Sequence, residues 1–534
     1  MNQAEIKRRQ AQAIAAVLGL AALAVTARLT GYNGVTYVLA ALEVYAVFDT
    51  VVSGGIFDAL GRILRLRNAK GQYKNAAVMR RNAILFQGIL GLIGAAAVLF
   101  AAEEITAKIF RIHYSSSILM ILAPAVFLRS VSAVLQGCSR GEGAELPAAA
   151  ASILRQLFII GFSVIFCNML GSYGSKVSRL LVQTNFTAMY GGVGVAVAVT
   201  LSEVFVVLFL ALTYRGNKKN AAAAAKEGMR TTDSVVDSIR ILCAGRGLSM
   251  LTRLLVILPL PLGLIFFSKA SEGSDSAMTE YGVFAAGFGL CCGVIAAVVV
   301  ILLLPVCGKM MNLFRKEEGR YARQVFQCGV HLGIVHAAFW TVFIAVMAEP
   351  VAAVFCGEQA QTAAKLFRGG SGLILLFALS YYFARILVLM GKKLLVLGAV
   401  AAADVFFIIF VTVALNTGKA GILSLIYGAL VGMGVLSVVL GTLAYRQLKQ
   451  KMDWLYTLIV PAGAASVAGL VGMLLEKLFT PHLGNLVSLI VCLALTGAFY
   501  WAALILLRNF REQELESIPG GKLIGAVGQL LRVY

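Results

Sequence analysis

Runs of about twenty consecutive apolar residues recur along this chain from one end to the other, and a run of that length is what one helix needs to cross a bilayer core. Fourteen such windows can be read, at about 11–29, 35–60, 83–102, 117–138, 150–170, 188–214, 241–268, 282–307, 328–347, 371–390, 394–415, 422–444, 458–475 and 486–507. In lipid, backbone N–H and C=O groups find partners only inside a helix or a closed barrel. Runs of helical length therefore predict an all-α polytopic membrane protein of about fourteen transmembrane helices. Of 534 residues, 60% are apolar and 13% are charged, where a soluble domain carries roughly 25% charged residues. A water-soluble enzyme and a disordered chain are both excluded. Glycine is abundant at 54 and proline scarce at 9, which suits closely approaching helices.

The net charge of +21 would suggest nucleic acid as a partner of a soluble protein; here the location of the charge decides. With the N-terminus inside, the loops expected on the inner side hold 31 Lys and Arg and those on the outer side hold 9. Positive residues collect in cytoplasmic loops, so the bias predicts an even number of spans, both termini in the cytoplasm, and no nucleic-acid partner. Lys7-Arg8-Arg9 followed by an apolar run has the look of a signal peptide. The run is long, however, and a second follows soon after Tyr32, so it reads as a retained first helix. The segment after Pro519 reads as a short amphipathic helix on the inner surface or as a disordered end.

Two halves of the chain match weakly and in order. Ala102-Glu103-Glu104-Ile105 after span 3 pairs with Ala348-Glu349-Pro350-Val351 after span 9; Leu135-Gln136-Gly137 with Leu389-Met390-Gly391; Leu212-Thr213-Tyr214-Arg215 with Leu443-Ala444-Tyr445-Arg446. A six-helix unit repeated in the same orientation gives two pseudo-symmetric lobes with a substrate path between them. The expected organisation is an N-terminal lobe at 1–214, an inter-lobe cytoplasmic linker at 215–240 and a C-terminal lobe at 241–446. Two extra helices follow at 447–507, then a cytoplasmic tail at 508–534.

Charges inside the spans are the candidates for function. Arg28, Arg129, Arg155, Arg246, Arg253 and Arg385 lie in or at the ends of spans, as do Glu43, Asp49, Asp58, Glu203 and Asp404. Each such residue at a helix centre costs about 2.5–3.5 kcal/mol on insertion scales. Arg28, Asp58 and Arg246 sit near enough to helix ends to snorkel; the rest must face a wet cavity or one another. Arginine stays protonated in a poorly hydrated site and forks onto phosphate, so Arg28, Arg246, Arg253, Arg129 and Arg155 are candidate ligands for a diphosphate headgroup. Arg246 and Arg253 are seven apart, two turns on one helix face. Pairing of the arginines with Glu43, Asp49 or Glu203 is the structural alternative. Glu43, Asp49, Glu203 and Asp404 are the candidates for cation coupling or for that pairing. Glu43 and Asp49 do not share a helix face, and Asp404 stands alone among Ala401, Ala402 and Ala403. Tyr381-Tyr382 reads as interfacial or core packing before a sugar-stacking platform.

The nine cysteines read as small packing residues, and the four histidines form no metal-ligand pattern, so neither a disulfide nor a metal centre is expected. No G-x-x-x-x-G-K-[S/T] loop occurs and no Ser/His/Asp constellation stands out, which argues against ATP-driven transport and against an enzyme. No cofactor is expected beyond Na+ or H+ as a coupling ion.

Several segments resemble the multidrug/oligosaccharidyl-lipid/polysaccharide (MOP) exporter superfamily, in its branch of stage V sporulation protein B and MurJ-type lipid flippases. They are Gly31-Tyr32-Asn33-Gly34 with Tyr37; Ser53-Gly54-Gly55-Ile56, with Phe57 at a proline position; Leu135-Gln136-Gly137 with Pro147, Ser152 and Gln156; Ser202-Glu203; Tyr281-Gly282 with Pro305; and Ala348-Glu349-Pro350. The resemblance spans roughly residues 1–450. It implies a fourteen-helix, two-lobed transporter in the bacterial cytoplasmic membrane that flips an undecaprenyl-diphosphate-linked glycan, such as lipid II or a polysaccharide precursor, by alternating access. Of the family's cavity arginines, Arg28 matches in place; the acid between spans 4 and 5 is replaced by Arg155, and the span 7 acid is absent from 254–260. The expected partners are an anionic lipid-linked glycan, membrane lipids and cell-wall synthesis proteins. Two alternatives stand beside the flippase: a multidrug cation antiporter of the same superfamily, and a non-transporting membrane scaffold for cell-wall or spore-envelope assembly.

Overall fold

The computed structural model describes residues 3–183, 185–224, 234–315, 319–418, 421–450, 453–510 and 512–515, with 521, 525, 526 and 529 beyond them. Among these residues there is no strand, and twelve helices are long and apolar enough to cross a membrane. Two of the twelve, Ala11–Ala69 and Leu455–Leu506, are 59 and 52 residues long, far more than one crossing needs. Each is broken at a glycine: Gly31 has φ 72 and ψ 172, and Gly484 has φ 72 and ψ 164, a region open in practice to glycine alone. The expected spans 1 and 2 lie on either side of Gly31, and spans 13 and 14 on either side of Gly484.

Contacts divide the chain into two compact units, 2–282 and 283–534. The first contains α1 (Gln3–Ser53), α2 (Ile56–Ala69), α3 (Tyr73–Glu103), α4 (Ser115–Gly141), α5 (Leu146–Leu181), α6 (Asn185–Ala224), α7 (Val235–Ile257), α8 (Pro259–Ala270) and α9 (Asp275–Gly282). The expected linker at 215–240 is helical up to Ala224 and again from Val235; residues 225–233 lie outside the described residues. Helices 235–282, which the repeat assigns to the second lobe, pack within the first unit by contact.

Local chemistry explains where these helices start and stop. The expected span 35–60 ends at Ser53, because Gly54 and Gly55 interrupt it. A Cβ on Gly54 would lie 2.2 Å from Thr50 O, and one on Gly55, at φ 76, would lie 2.7 Å from Arg246 O. Beyond them α2 buries Ile56, Ala59, Leu60 and Leu64 and exposes Arg62 and Arg65, so a segment read as loop is an amphipathic helix. Ser234 caps α7 by accepting from Asp237 N at 3.1 Å, and the run expected as one span at 241–268 lies within a single apolar stretch, Val235–Ala270, divided into α7 and α8 at Pro259, which lacks a backbone donor. Glycines also set the helix spacing: a Cβ on Gly194 of α6 would lie 2.7 Å from the backbone of Phe166 and Cys167 on α5, so these two helices touch backbone to backbone.

The second unit contains α10 (Gly289–Arg315), α11 (Gly319–Val346), α12 (Ala348–Cys356), α13 (Ala360–Gly370), α14 (Gly372–Leu389), α15 (Lys393–Asn416), α16 (Leu423–Leu448), α17 (Val460–Leu506) and α18 (Glu512–Leu515). The interval expected as a loop after span 9 is thus two short helices. Widened π-type turns at 283–288 and 455–459 lead into α10 and α17. Tyr382 is buried against Phe326, whose carbonyl accepts its hydroxyl at 3.1 Å; it is a core residue of this unit.

Candidate functional site

Four helices of the first unit bring intramembrane charges to one place. α1 contributes Asp49, α4 Arg129, α5 Arg155 and α6 Glu203. Glu203 is 2% exposed and takes Arg155 in a fork: Nε donates to Oε1, and Nη2 donates to Oε2 at 3.2 Å. Arg155 Nη2 also reaches Ser132 Oγ at 3.4 Å. Arg129 lies between the two acids, its Nε 3.5 Å from Asp49 Oδ2 and its Nη1 3.5 Å from Glu203 Oε1. Asp49 Oδ1 accepts from Ser53 Oγ at 2.5 Å, one turn on along α1. Two positive and two negative charges therefore close on themselves, and a bidentate pair is the strongest form such contacts take. For Arg129 and Arg155 the structure realises the pairing alternative.

This charged cluster borders two cavities. The larger, about 360 Å³, is walled mainly by apolar side chains such as Leu23, Val38, Leu42, Ile159 and Val199, with Asp49, Arg129, Arg155 and Glu203 in its lining. The smaller, about 190 Å³, is polar: Gln12, Ser53, Ser132, Gln136 and Ser152 line it beside Asp49, Arg129, Arg155 and Arg253. Three arginines and one acid thus line the polar chamber, while Glu203 and Asp58 pair with those arginines from outside its lining.

Arg253 is half-exposed, with Nη2 3.4 Å from Asp58 Oδ2. Asp58 gives its other oxygen to Arg140, whose guanidinium sits 5.0 Å from the centre of the Phe57 ring, a cation–π contact. Arg246 has a different task from the one its spacing suggests. It is 6% exposed, so it does not snorkel. Nη1 donates to Val52 O at 3.0 Å and Nη2 to Val51 O, carbonyls left without helical partners where α1 stops. Gln87 serves the same Val52 carbonyl. Arg246 and Arg253 share a helix, but they do not form a joint grip. Arg28 is exposed one turn before Gly31 and has no ion pair among the described residues. Arg385 is partly buried on α14, in the other unit.

The remaining acids stand apart. Glu43 is buried, and Oε1 accepts from Tyr281 on α9 at 3.0 Å, while Oε2 is buried without a hydrogen-bond partner among the described residues. Asp404 is buried on α15 of the second unit, with Oδ2 likewise unpartnered among the described residues. Sequence reasoning missed Ser53, Ser132, Arg140 and Tyr281 as partners. Ser53 and Ser132 lie four and three residues from Asp49 and Arg129, a helical spacing that could have marked them. Nothing local marks Tyr281, which comes from a distant helix. Among the described residues no group of His, Cys, Asp and Glu is placed to hold a metal ion.

No family model matches the chain, and no curated protein is similar to it in sequence. Solved structures are similar in fold. A multidrug-resistance MATE-family transporter of the MOP superfamily, in an inward-facing conformation, superposes with a TM-score of 0.61 at 15% identity, covering 82% of this chain and 94% of that one. The lipid II flippase MurJ in an inward closed conformation gives 0.57 at 13% identity, covering 94% of this chain and 100% of that one. A MOP-superfamily transporter from Pyrococcus furiosus, described as having a binding pocket of reversed polarity, gives 0.54 at 16% identity, covering 84% and 95%.

Proposed function

From a chain with the MOP-transporter fold, we propose a membrane transporter that flips an anionic, lipid-linked glycan headgroup across the bacterial cytoplasmic membrane by alternating access, with both termini inside and no chemical change to its cargo. The observation that carries this reading is the polar chamber, where Arg129, Arg155 and Arg253 outnumber Asp49. A diphosphate entering there engages Arg253 first, because its carboxylate partner among the described residues, Asp58, is shared with Arg140. The headgroup competes with Asp58 for Arg253, then with Asp49 for Arg129. Exchange of one anion for another keeps each guanidinium paired throughout, which avoids the cost of a bare charge at bilayer depth. Arg246 keeps the end of α1 closed and supports the chamber. Arg28 offers a further cation near the Gly31 break.

Glu43 and Asp404, each with an oxygen lacking a partner, are the carboxylates to which we assign coupling to H+ or Na+. These same two acids favour the second reading, a cation antiporter. The experiment is reconstitution in liposomes with a fluorescent lipid diphosphate and, in parallel, a lipophilic cation. The flippase reading expects translocation of the diphosphate and its loss in Arg253→Glu. Uptake of the cation alone, indifferent to Arg253→Glu, would establish the antiporter instead. A folded protein that moves neither, but whose loss disrupts assembly of envelope enzymes, would establish the scaffold.

A further inference from the structure

The second unit holds a buried polar cluster that transport, as described above, does not use. His331 on α11 is 1% exposed. Its Nε2 lies 2.9 Å from Nδ2 of Asn509, and its Nδ1 lies 3.3 Å from Oε2 of Glu514. Tyr456, in the widened turn before α17, donates its hydroxyl to the same Glu514 oxygen, and its ring is 4.6 Å from the imidazole. Phe510, stacked on Trp501, covers the imidazole from 5.6 Å. Asn509, Phe510 and Glu514 all belong to the segment that follows α17.

That segment reaches the pocket through a turn it would not choose by itself. Arg508 adopts a left-handed conformation, φ 50, which a residue with a Cβ resists. The turn is closed by Arg508 N on Ile505 O at 2.9 Å and Asn509 N on Leu504 O at 3.0 Å, a helix ending that usually calls on glycine. Contacts beyond the turn must therefore hold it, and those contacts are the ones to His331 and Tyr456.

We infer that His331 and Tyr456 form a binding site for the carboxylate and amide of the chain's own C-terminal segment, and that protonation of His331 tightens it. Neutral imidazole has one N–H. As placed, Asn509 donates to Nε2, which leaves the hydrogen on Nδ1, facing Glu514. The amide oxygen of Asn509 is buried with no donor among the described residues. A half-turn of the amide presents that oxygen to Nε2 in place of the NH2 group. Imidazolium then has an acceptor at each nitrogen, one of them a carboxylate, with the Tyr456 and Phe510 rings near it. Among the described residues, Glu514 on the tail and Tyr456 on the turn face it, Cys328 lies one turn earlier on α11, and Lys309 on α10 acts with Glu514 on the Cys328 thiol.

The test follows hydrogen–deuterium exchange of the 507–515 peptide in the full-length protein at about pH 5.5 and about pH 8, with intrinsic rates corrected. Protection should rise several-fold at the lower pH. His331→Gln and Glu514→Gln should abolish that rise, and Asn509→Asp, which adds a second carboxylate beside Nε2, should steepen it. Equal protection at both pH values in the parent protein overturns the inference. So does a pH response that survives in both Gln variants, or one that Asn509→Asp leaves unaltered while the protein stays folded by its exchange in α4–α6. The measurement needs no substrate, and its outcome is independent of which cargo the first unit carries.

Discussion

Glu203 is the residue on which buried Arg155 and half-buried Arg129 depend, and its removal should be felt more than that of any exposed acid. Breaking a buried pair from one side leaves the other charge uncompensated, at about 3–5 kcal/mol. Glu203→Gln is expected to lower thermal stability in detergent by that order, whereas Glu104→Gln, whose pairing with Lys108 is solvent-exposed, should change it by less than about 1 kcal/mol. Equal melting shifts would remove the cluster from its structural role. Glu142, just outside the spans, behaves differently. Burial raises its pKa, and the ion pair with Arg80 opposes the shift without cancelling it. The folded state then holds its proton to higher pH than the unfolded state does. Stability from this group is present below the unfolded pKa and declines as pH rises from there through the folded value. Glu142→Gln should flatten that decline in a pH series of melting curves, and an unchanged slope would count against it. At this scale the charged residues were legible because they stand out in apolar runs. Which acid meets which arginine was not, because Asp49, Arg129, Arg155 and Glu203 come from four different helices and no local pattern links them.

Between helices, glycine decides how near two axes come. Gly194 puts α6 against the backbone of α5, while Gly161 on α5 has nothing within 4 Å. Gly194→Ala should therefore lower the melting temperature, and Gly161→Ala should leave it unchanged or raise it, since alanine is the better helix former by about 1 kcal/mol. Similar losses in both would mean that the α5–α6 contact is looser than described. Helix existence was legible element by element from apolar runs and turn residues. Helix ends were less so: the 35–60 window ran through Gly54-Gly55 because Ile56, Phe57 and Leu60 continue the apolar run, and averaging over a window hides a two-residue turn. The short helices Ala348–Cys356 and Ala360–Gly370 were read as loop because neither is long enough to announce a span.

For the whole molecule, the charge bias and the breaks at Gly31 and Gly484 together make a topological prediction. With fourteen crossings, Arg81 faces the cytoplasm and Ser274 the outside. In a protein whose exposed Cys243 is replaced by Ser, a membrane-impermeant maleimide added to intact cells should label Ser274→Cys and spare Arg81→Cys; the reverse, or labelling of both, would require a different count. The apolar runs, and with them the all-α membrane class, were fixed by the chain alone, since each span satisfies its backbone within itself and meets lipid on its own account. The fate of the charges was decided only by tertiary structure. Whether Arg155 meets a phosphate or Glu203, and whether Arg246 grips a ligand or the end of α1, depends on which side chains folding brings within about 3 Å, and an electrostatic pairing that falls off with distance and solvent exposure has no trace in sequence order.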